Sequence, residues 1–257
     1  MFGQYASKVF AGPAVQGESC SICGLAGICI PRGLSQRELE ALDSITKYKH
    51  ELKKDDFLFH AGNIATSIYT VRSGSFKTTI NNRDGSEQVT GFFLPGELIG
   101  LDGLGSNTYT CSTIALENST ICEIPIDEFD NLCAEITNLR HQVMRLIGNT
   151  LSRHQQMILV LGKMSSEERF ASFLIDLSRY HQERGFSSIE FSLTMQRRDI
   201  ANYLGLAVES LSRLISKFHD RGILNVNRRN IKILDWDWLC KLAHAEHKWQ
   251  INRRVDL

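Results

Sequence analysis

The sequence predicts an α+β protein with three parts in series: an N-terminal antiparallel β-roll of jelly-roll type, a long helix suited to pairing, and a C-terminal winged helix-turn-helix. Three observations carry this. Between about 46 and 125, short segments of alternating polarity are broken by glycine at 62, 74, 85 and 96. From about 137 to 162 one helical pattern runs without a break. The segment DIANYLGLAVESLSRLISKF (199–218) then has the spacing of two helices crossing at a tight turn.

Bulk properties suit a soluble protein of more than one domain. The 257 residues are 42% hydrophobic and 23% charged, with 29 basic and 29 acidic side chains, so net charge points to no partner. No apolar run approaches the roughly 18 residues of a membrane span. The opening MFGQYASKVFAGPAVQGES lacks a basic region followed by an apolar core, so the expected location is cytoplasmic, with no membrane partner. Seven cysteines in a reducing compartment favour metal or redox chemistry over a disulfide framework.

In chain order, residues 1–19 read as an aperiodic arm. The stretch CSICGLAGIC (20–29) places Cys20, Cys23 and Cys29 within ten residues, with no histidine nearby. Thiolates are soft ligands for iron or zinc, and Gly24 and Gly27 are expected to let the backbone wrap closely. Ser35-Gln-Arg-Glu38 is a capping box that opens a short helix with Leu34, Leu39 and Leu42 on its apolar side. The glycine-punctuated segments follow, with NRDGS (82–86) as a hairpin signal whose Asp84-Gly85 suits positive φ. Cys122, in STICEIP, reads on its own as a buried strand cysteine; Cys111, Cys133 and Cys240 read as packing thiols.

In the long helix, Arg140, Met144, Ile147, Leu151, His154, Ile158 and Leu161 recur at alternating spacings of four and three. That is a heptad seam for a second copy, and the alternative is a core helix packed on its own β-roll. A second capping box, Ser165 to Glu168, opens a new domain after a boundary at Gly162. The expected divisions are 1–30, an arm with the cysteine loop; 31–136, the β-roll; 137–163, the pairing helix; 164–240, the winged helix-turn-helix; and 241–257, a tail.

Within 194–232 eight basic residues face three acidic ones, a local excess that suits a polyanion. Ala201 is small where two helices cross, and Gly205 falls where the turn needs positive φ. The second helix, about 208–219, then exposes Glu209, Ser212, Arg213 and Ser216. Arg213 can grip guanine and Glu209 can accept from a cytosine or adenine amino group, while Ser212 can bond a base or phosphate. Glutamate repels phosphate, so its place on this face favours base reading over non-specific binding. GILNVNRRNIKIL reads as the wing, with Arg228 and Arg229 near its turn for phosphate contacts. An αα-corner in some other helical domain is the bland alternative.

This order of parts resembles the CRP/FNR superfamily of dimeric bacterial transcription factors, over about residues 20–240. CSICGLAGICIPRGLS, EQVTGFFLPGELIGLDGLG, ALENSTICEIP and ESLSR look like the fumarate–nitrate reduction regulators (FNR), the oxygen-responsive branch. The resemblance implies a β-roll of the cyclic-nucleotide-binding type and a homodimer on a palindromic promoter with TTGAT-type half-sites. It also implies an oxygen-labile four-iron four-sulfur (4Fe-4S) cluster on Cys20, Cys23, Cys29 and Cys122, and contacts with RNA polymerase near Ser73 and Gly85. A zinc site on the same four thiols is a rival. The cyclic-nucleotide branch uses an arginine for the phosphate, and GLDGLGSNTYTCSTIAL (100–116) contains none, so no cyclic nucleotide is expected. No phosphate loop or nucleophile elbow points to an enzyme. His154 departs from the better-known members, which carry aspartate there; near pH 7 it removes a charge repulsion expected to keep the cluster-free form monomeric.

Overall fold

The computed structural model describes residues 19–245; the arm read over 1–19 lies outside the described residues except for Ser19, and the tail read over 241–257 lies outside them from 246 on. The chain divides into two compact units between Leu151 and Ser152.

In the first unit, α1 (Gln36–Ile45) leads into eight strands: β1 (Lys47–Leu52), β2 (Phe57–Phe59), β3 (Ser67–Ser73), β4 (Phe76–Asn81), β5 (Glu87–Phe93), β6 (Leu98–Ile99), then after the single turn α2 (Gly103–Ser106), β7 (Ser112–Ala115) and β8 (Ser119–Pro125). They form two four-stranded sheets, β1-β8-β3-β6 and β2-β7-β4-β5, with every pairing antiparallel. This is the expected β-roll. Gly85 has φ +83° in the β4–β5 hairpin, a left-handed conformation that costs other residues a Cβ clash.

Strand alternation builds two cores. Phe59, Val71, Phe76, Ile99, Tyr109, Ala115 and Ile121 pack between the sheets. Ile68, Leu98 and Ile124 face the other way, against Leu42 of α1, Phe129 of α3 (Ile126–Glu135), and Leu139 and Val143 of α4 (Thr137–Lys163). Cys29 and Ile30 of the cysteine loop join this second cluster.

At 27 residues, α4 is about 40 Å long. The boundary between the compact units falls inside it, and Gly162 is still helical. In the second unit follow α5 (Ser166–Glu183), β9 (Glu190–Ser192), α6 (Arg197–Tyr203), α7 (Val208–Asp220), the hairpin β10 (Leu224–Asn227) and β11 (Asn230–Ile233), and α8 (Trp236–Leu242). Strand β9 completes a three-stranded wing, order β10-β11-β9. Both predicted capping boxes are present, at Ser35 and Ser165. Among the described residues no helix is long and apolar enough to cross a membrane.

Candidate metal centre and nucleic-acid interface

The cysteine loop is built from turns closed by main-chain hydrogen bonds: Cys23 N–H to Cys20 O at 3.3 Å, Ala26 to Cys23 at 3.0 Å and Cys29 to Leu25 at 3.0 Å. Its start is anchored on α1, where Asp43 Oδ1 accepts from the Cys20 N–H at 2.7 Å. Gly24 and Gly27 lie within these turns. Neither has positive φ, and a side chain at either would stand in open space, because right-handed turns need no special residue. The loop's far end is fixed on α4: Gln142, 6% exposed, donates through Nε2 to the Cys29 carbonyl at 3.3 Å. The Gln142 amide oxygen accepts in turn from Arg145.

Cys122 stands on β8, where the main chain pairs at Thr70 of β3. Ile121 turns into the space between the sheets, while Ile124 turns toward the loop. Cys20, Cys23, Cys29 and Cys122 therefore line one cleft, walled by Leu25, Ala26, Ile30, Leu42 and Ile124 and edged by Arg72. The structure thus brings together the four predicted thiols from segments about a hundred residues apart. Burial pushes the Cys29 thiol up to about 12, opposed by a hydrogen bond from the Ile30 N–H and by Thr70. Thr70 Oγ1 is buried there without a hydrogen bond of good geometry, yet near enough to Cys29 to favour its thiolate. Burial likewise pushes Cys122 up to about 11, against the pull of Arg72. Without a metal these thiols stay neutral; a cationic group bound to them would offset the cost of burying thiolates. Among the described residues, no three or more His, Cys, Asp or Glu side chains are gathered as they would be around a single metal ion. The donor set nonetheless fits an iron–sulfur group chemically: four soft thiols, apolar walls and one neighbouring cation.

The remaining cysteines lie elsewhere. Cys111 Sγ is 3.7 Å from Asp102 Oδ2, and Cys133 packs against the outer core. Cys240, half-buried, lies on α8 in the second unit.

Along α4 the predicted seam is mostly uncovered. Met144 is 63% exposed, Leu151 57% and Ile158 72%; Arg140 and His154 are exposed and Leu161 half-buried. Ile147 differs, being half-buried and packed against the outer core.

In the second unit, Leu211, Leu214, Ile215 and Phe218 bury one face of α7, leaving Glu209, Arg213 and Ser216 exposed and Ser212 half-exposed. The α6–α7 turn is a Schellman motif: Leu206 N–H reaches Ala201 O at 2.8 Å and Gly205 N–H reaches Asn202 O at 3.1 Å. Gly205, at φ +62°, makes this turn possible. An open groove along α7 is lined by Arg197, Ser212, Arg213, Ser216, Lys217, Asp220 and Arg221. Arg197 Nη1 lies 3.4 Å from Ser212 Oγ, so it joins the exposed face of α7 although the sequence marked it only as one charge in a basic stretch. Arg228 turns the wing in the left-handed region, φ 56°, and is exposed beside Arg229.

Comparison with known proteins agrees with both units. Residues 49–136 match the cyclic nucleotide-binding domain family and 168–242 the Crp-like helix-turn-helix domain. The chain is 43% identical over 227 residues to the transcriptional activator protein anr of Pseudomonas aeruginosa, covering 88% of this chain and 93% of the relative. It is 44% identical over 224 residues to the fumarate and nitrate reduction regulatory protein of Escherichia coli K12, covering 87% and 90%. Among solved structures, FixK2 from Bradyrhizobium japonicum superposes with a TM-score of 0.72 at 24% identity, over 79% of this chain and 99% of that one, a likeness of fold. The relatives are regulators and not enzymes. The chain belongs to the CRP/FNR superfamily of DNA-binding transcription regulators, in the branch that holds the FNR and Anr proteins.

Proposed function

We propose that the chain is a cytoplasmic, oxygen-responsive regulator in which a 4Fe-4S cluster on Cys20, Cys23, Cys29 and Cys122 governs pairing of two copies and binding to a palindrome of TTGAT-type half-sites. The observation that carries this is the convergence of the four thiols, three from one loop and one from β8, on a single apolar cleft. When bound, the cluster would supply an oxygen-labile link between loop and strand. The chain's residues do the rest. Cys29 and Ile30 pack on Leu139 and Val143, and Gln142 holds the Cys29 carbonyl, so the loop braces α4 directly. The exposed stripe Met144, Leu151 and Ile158 then meets the same stripe of a second copy, with readers about 34 Å apart on the duplex. Released from Cys122, the loop no longer braces α4 and pairing weakens; moving occupancy from 99:1 to 1:99 takes about 5.5 kcal/mol.

A single tetrahedral zinc ion on the same four thiols is the rival, and metal analysis separates the two. Contact with RNA polymerase near Ser73 and Gly85, both exposed, rests on the resemblance. The test is purification without air, with iron and sulfide analysis and Mössbauer spectroscopy. About four irons and four sulfides per chain are expected, with Cys122→Ala losing both them and tight operator binding. Wild-type protein without iron and sulfide, or undiminished operator binding by Cys122→Ala, would overturn the proposal.

A further inference from the structure

The first turn of α5 sends three consecutive side chains to three different places. Glu167 pairs with Lys217 of α7, and Glu168 Oε1 lies 2.9 Å from His244 Nε2. Arg169 spends its whole guanidinium on main-chain carbonyls: Nε to Met164 at 2.9 Å, Nη2 to Leu161 at 2.8 Å and Nη1 to Leu204 at 3.0 Å. Leu161 lies in the last turn of α4, and Leu204 is the C-cap of α6. Carbonyls at such positions have no intrahelical donor and carry the negative ends of their helices. One cation thus caps two helices at once. A planar fork with donors in several directions can do this; an ammonium on a flexible stem cannot hold all three.

The place of the contact gives it consequence. Leu204 immediately precedes the Gly205 turn that aims α7, and a Cβ at Gly205 would stand 3.3 Å from Arg169 Nη1 and 3.6 Å from Leu161 Cδ2. The end of the pairing helix, the turn and the reader are therefore locked around one side chain. We propose that Arg169 is a positioning residue for DNA reading: it fixes the angle of α7 against the end of α4, and so sets the half-site spacing that a pair of readers accepts. This rests on the reading of α7 as the DNA-contacting helix, but Arg169 itself touches no base or phosphate in it.

The test uses full-length Arg169→Lys, which keeps charge and stem, beside wild type. Binding is measured to a duplex with two inverted TTGAT half-sites, to the same duplex with one base pair inserted between them, and to a scrambled duplex. The expected result is a loss of roughly tenfold or more on the native spacing. Affinity for scrambled duplex should stay within about twofold with an unchanged salt slope. Discrimination against the inserted base pair should shrink, and hydrogen exchange at residues 204–208 should rise while the wing is unaffected. Wild-type spacing discrimination in the variant, or equal losses on native and scrambled duplexes, overturns the assignment. If wild type itself shows no preference for the palindrome, the proposed function fails, and the exchange measurement still decides on Arg169: unchanged protection at 204–208 rejects it. Should Arg169→Lys not fold, Arg169→Gln, whose amide can donate to at most part of the carbonyl set, is expected to give the same pattern, and undiminished spacing discrimination there overturns the clamp.

Discussion

Replacing Gln142 by leucine isolates the contact through which the cysteine loop meets α4. Glutamine reaches one heavy atom further than the branched leucine side chain but is similar in volume, and it sits 6% exposed beside Leu139 and Val143, so the substitution roughly conserves volume and adds apolar surface. It removes the 3.3 Å bond to the Cys29 carbonyl and also the acceptor that Arg145 uses, but Arg145 is exposed and water can take that place, so the buried loss is the one to Cys29. That carbonyl also accepts from the Arg32 N–H at 3.2 Å, so it is not stranded, and the cost belongs at the low end of a lost buried hydrogen bond, about 1 kcal/mol. Apolar gain on α4 offsets part of this in global stability, but the loop's own docking loses the full amount. One kcal/mol is a factor of about five in a local opening equilibrium.

The assay is hydrogen exchange followed by mass spectrometry on cluster-free protein. Peptides covering 20–33 should exchange about fivefold faster in Gln142→Leu, whereas peptides covering β3 and β4 should be unchanged and the urea midpoint should move little. Unaltered loop exchange would refute the argument, as would an equal rise across the whole first unit, which would mean global loosening.

The other expectations are independent of the loop. His181, 3% exposed, lies edge-on to Phe191 at 4.9 Å; burial, and then Arg184, holds its imidazole down at about 4 against an ordinary 6.5. The unfolded chain takes up this proton below pH 6.5 and the folded one only near pH 4, so stability falls by about 1–3 kcal/mol as pH drops through that window. Trp236 and Trp238, the two tryptophans among the described residues, lie in the second unit, so urea melts by tryptophan fluorescence should show the slope in wild type and lose most of it in His181→Phe. Ile158→Lys, at a side chain 72% exposed, should leave stability within about 0.5 kcal/mol while weakening pairing by about a hundredfold or more; sedimentation of the cluster-loaded protein checks this, and an unchanged dimer would remove Ile158 from the seam. Arg213→Ala should cost about 1–3 kcal/mol on the specific duplex and relax preference at one base position, and a selection experiment returning the same site would reject the guanine contact.

Features whose signal is local were legible in the sequence. Both capping boxes, the hairpin at Gly85, the turn at Gly205 and the buried face of α7 each depend on residues a few positions apart. What could not be read depends on register and long-range contact. Gln142 looks like any polar helix residue, and its partner Cys29 lies 113 positions earlier. Thr70 and Arg72 reach the cysteine cleft only because β3 pairs with β8 in a register that sets Thr70 against Cys122, and a one-residue slip would turn every side chain over. Arg169 reads as one more solvated charge in EER, since nothing in the sequence says that carbonyls from two helix ends stand within its reach. Ile147 fits the heptad arithmetic, but the surface it meets is decided by the roll beneath it.

Under the proposed function, the two cores of the first unit decide how a change at the cysteine cleft would reach α4. From the 100–116 segment, Tyr109 and Ala115 enter the core between the sheets. Tyr109 stacks on Phe59 at 3.7 Å and donates its hydroxyl hydrogen to the Ser67 carbonyl at 2.6 Å, while Asp102 accepts from the Thr110 N–H at 2.7 Å and its hydroxyl at 2.9 Å. The cysteine cleft opens instead on the opposite face of β3 and β8, where Ile68 and Ile124 share a cluster with Leu139 and Val143 of α4. A signal received between the sheets would have to cross a sheet before reaching the pairing helix. One received at Cys29 is already in the same packed cluster as α4, so a change there acts on the helix by direct contact.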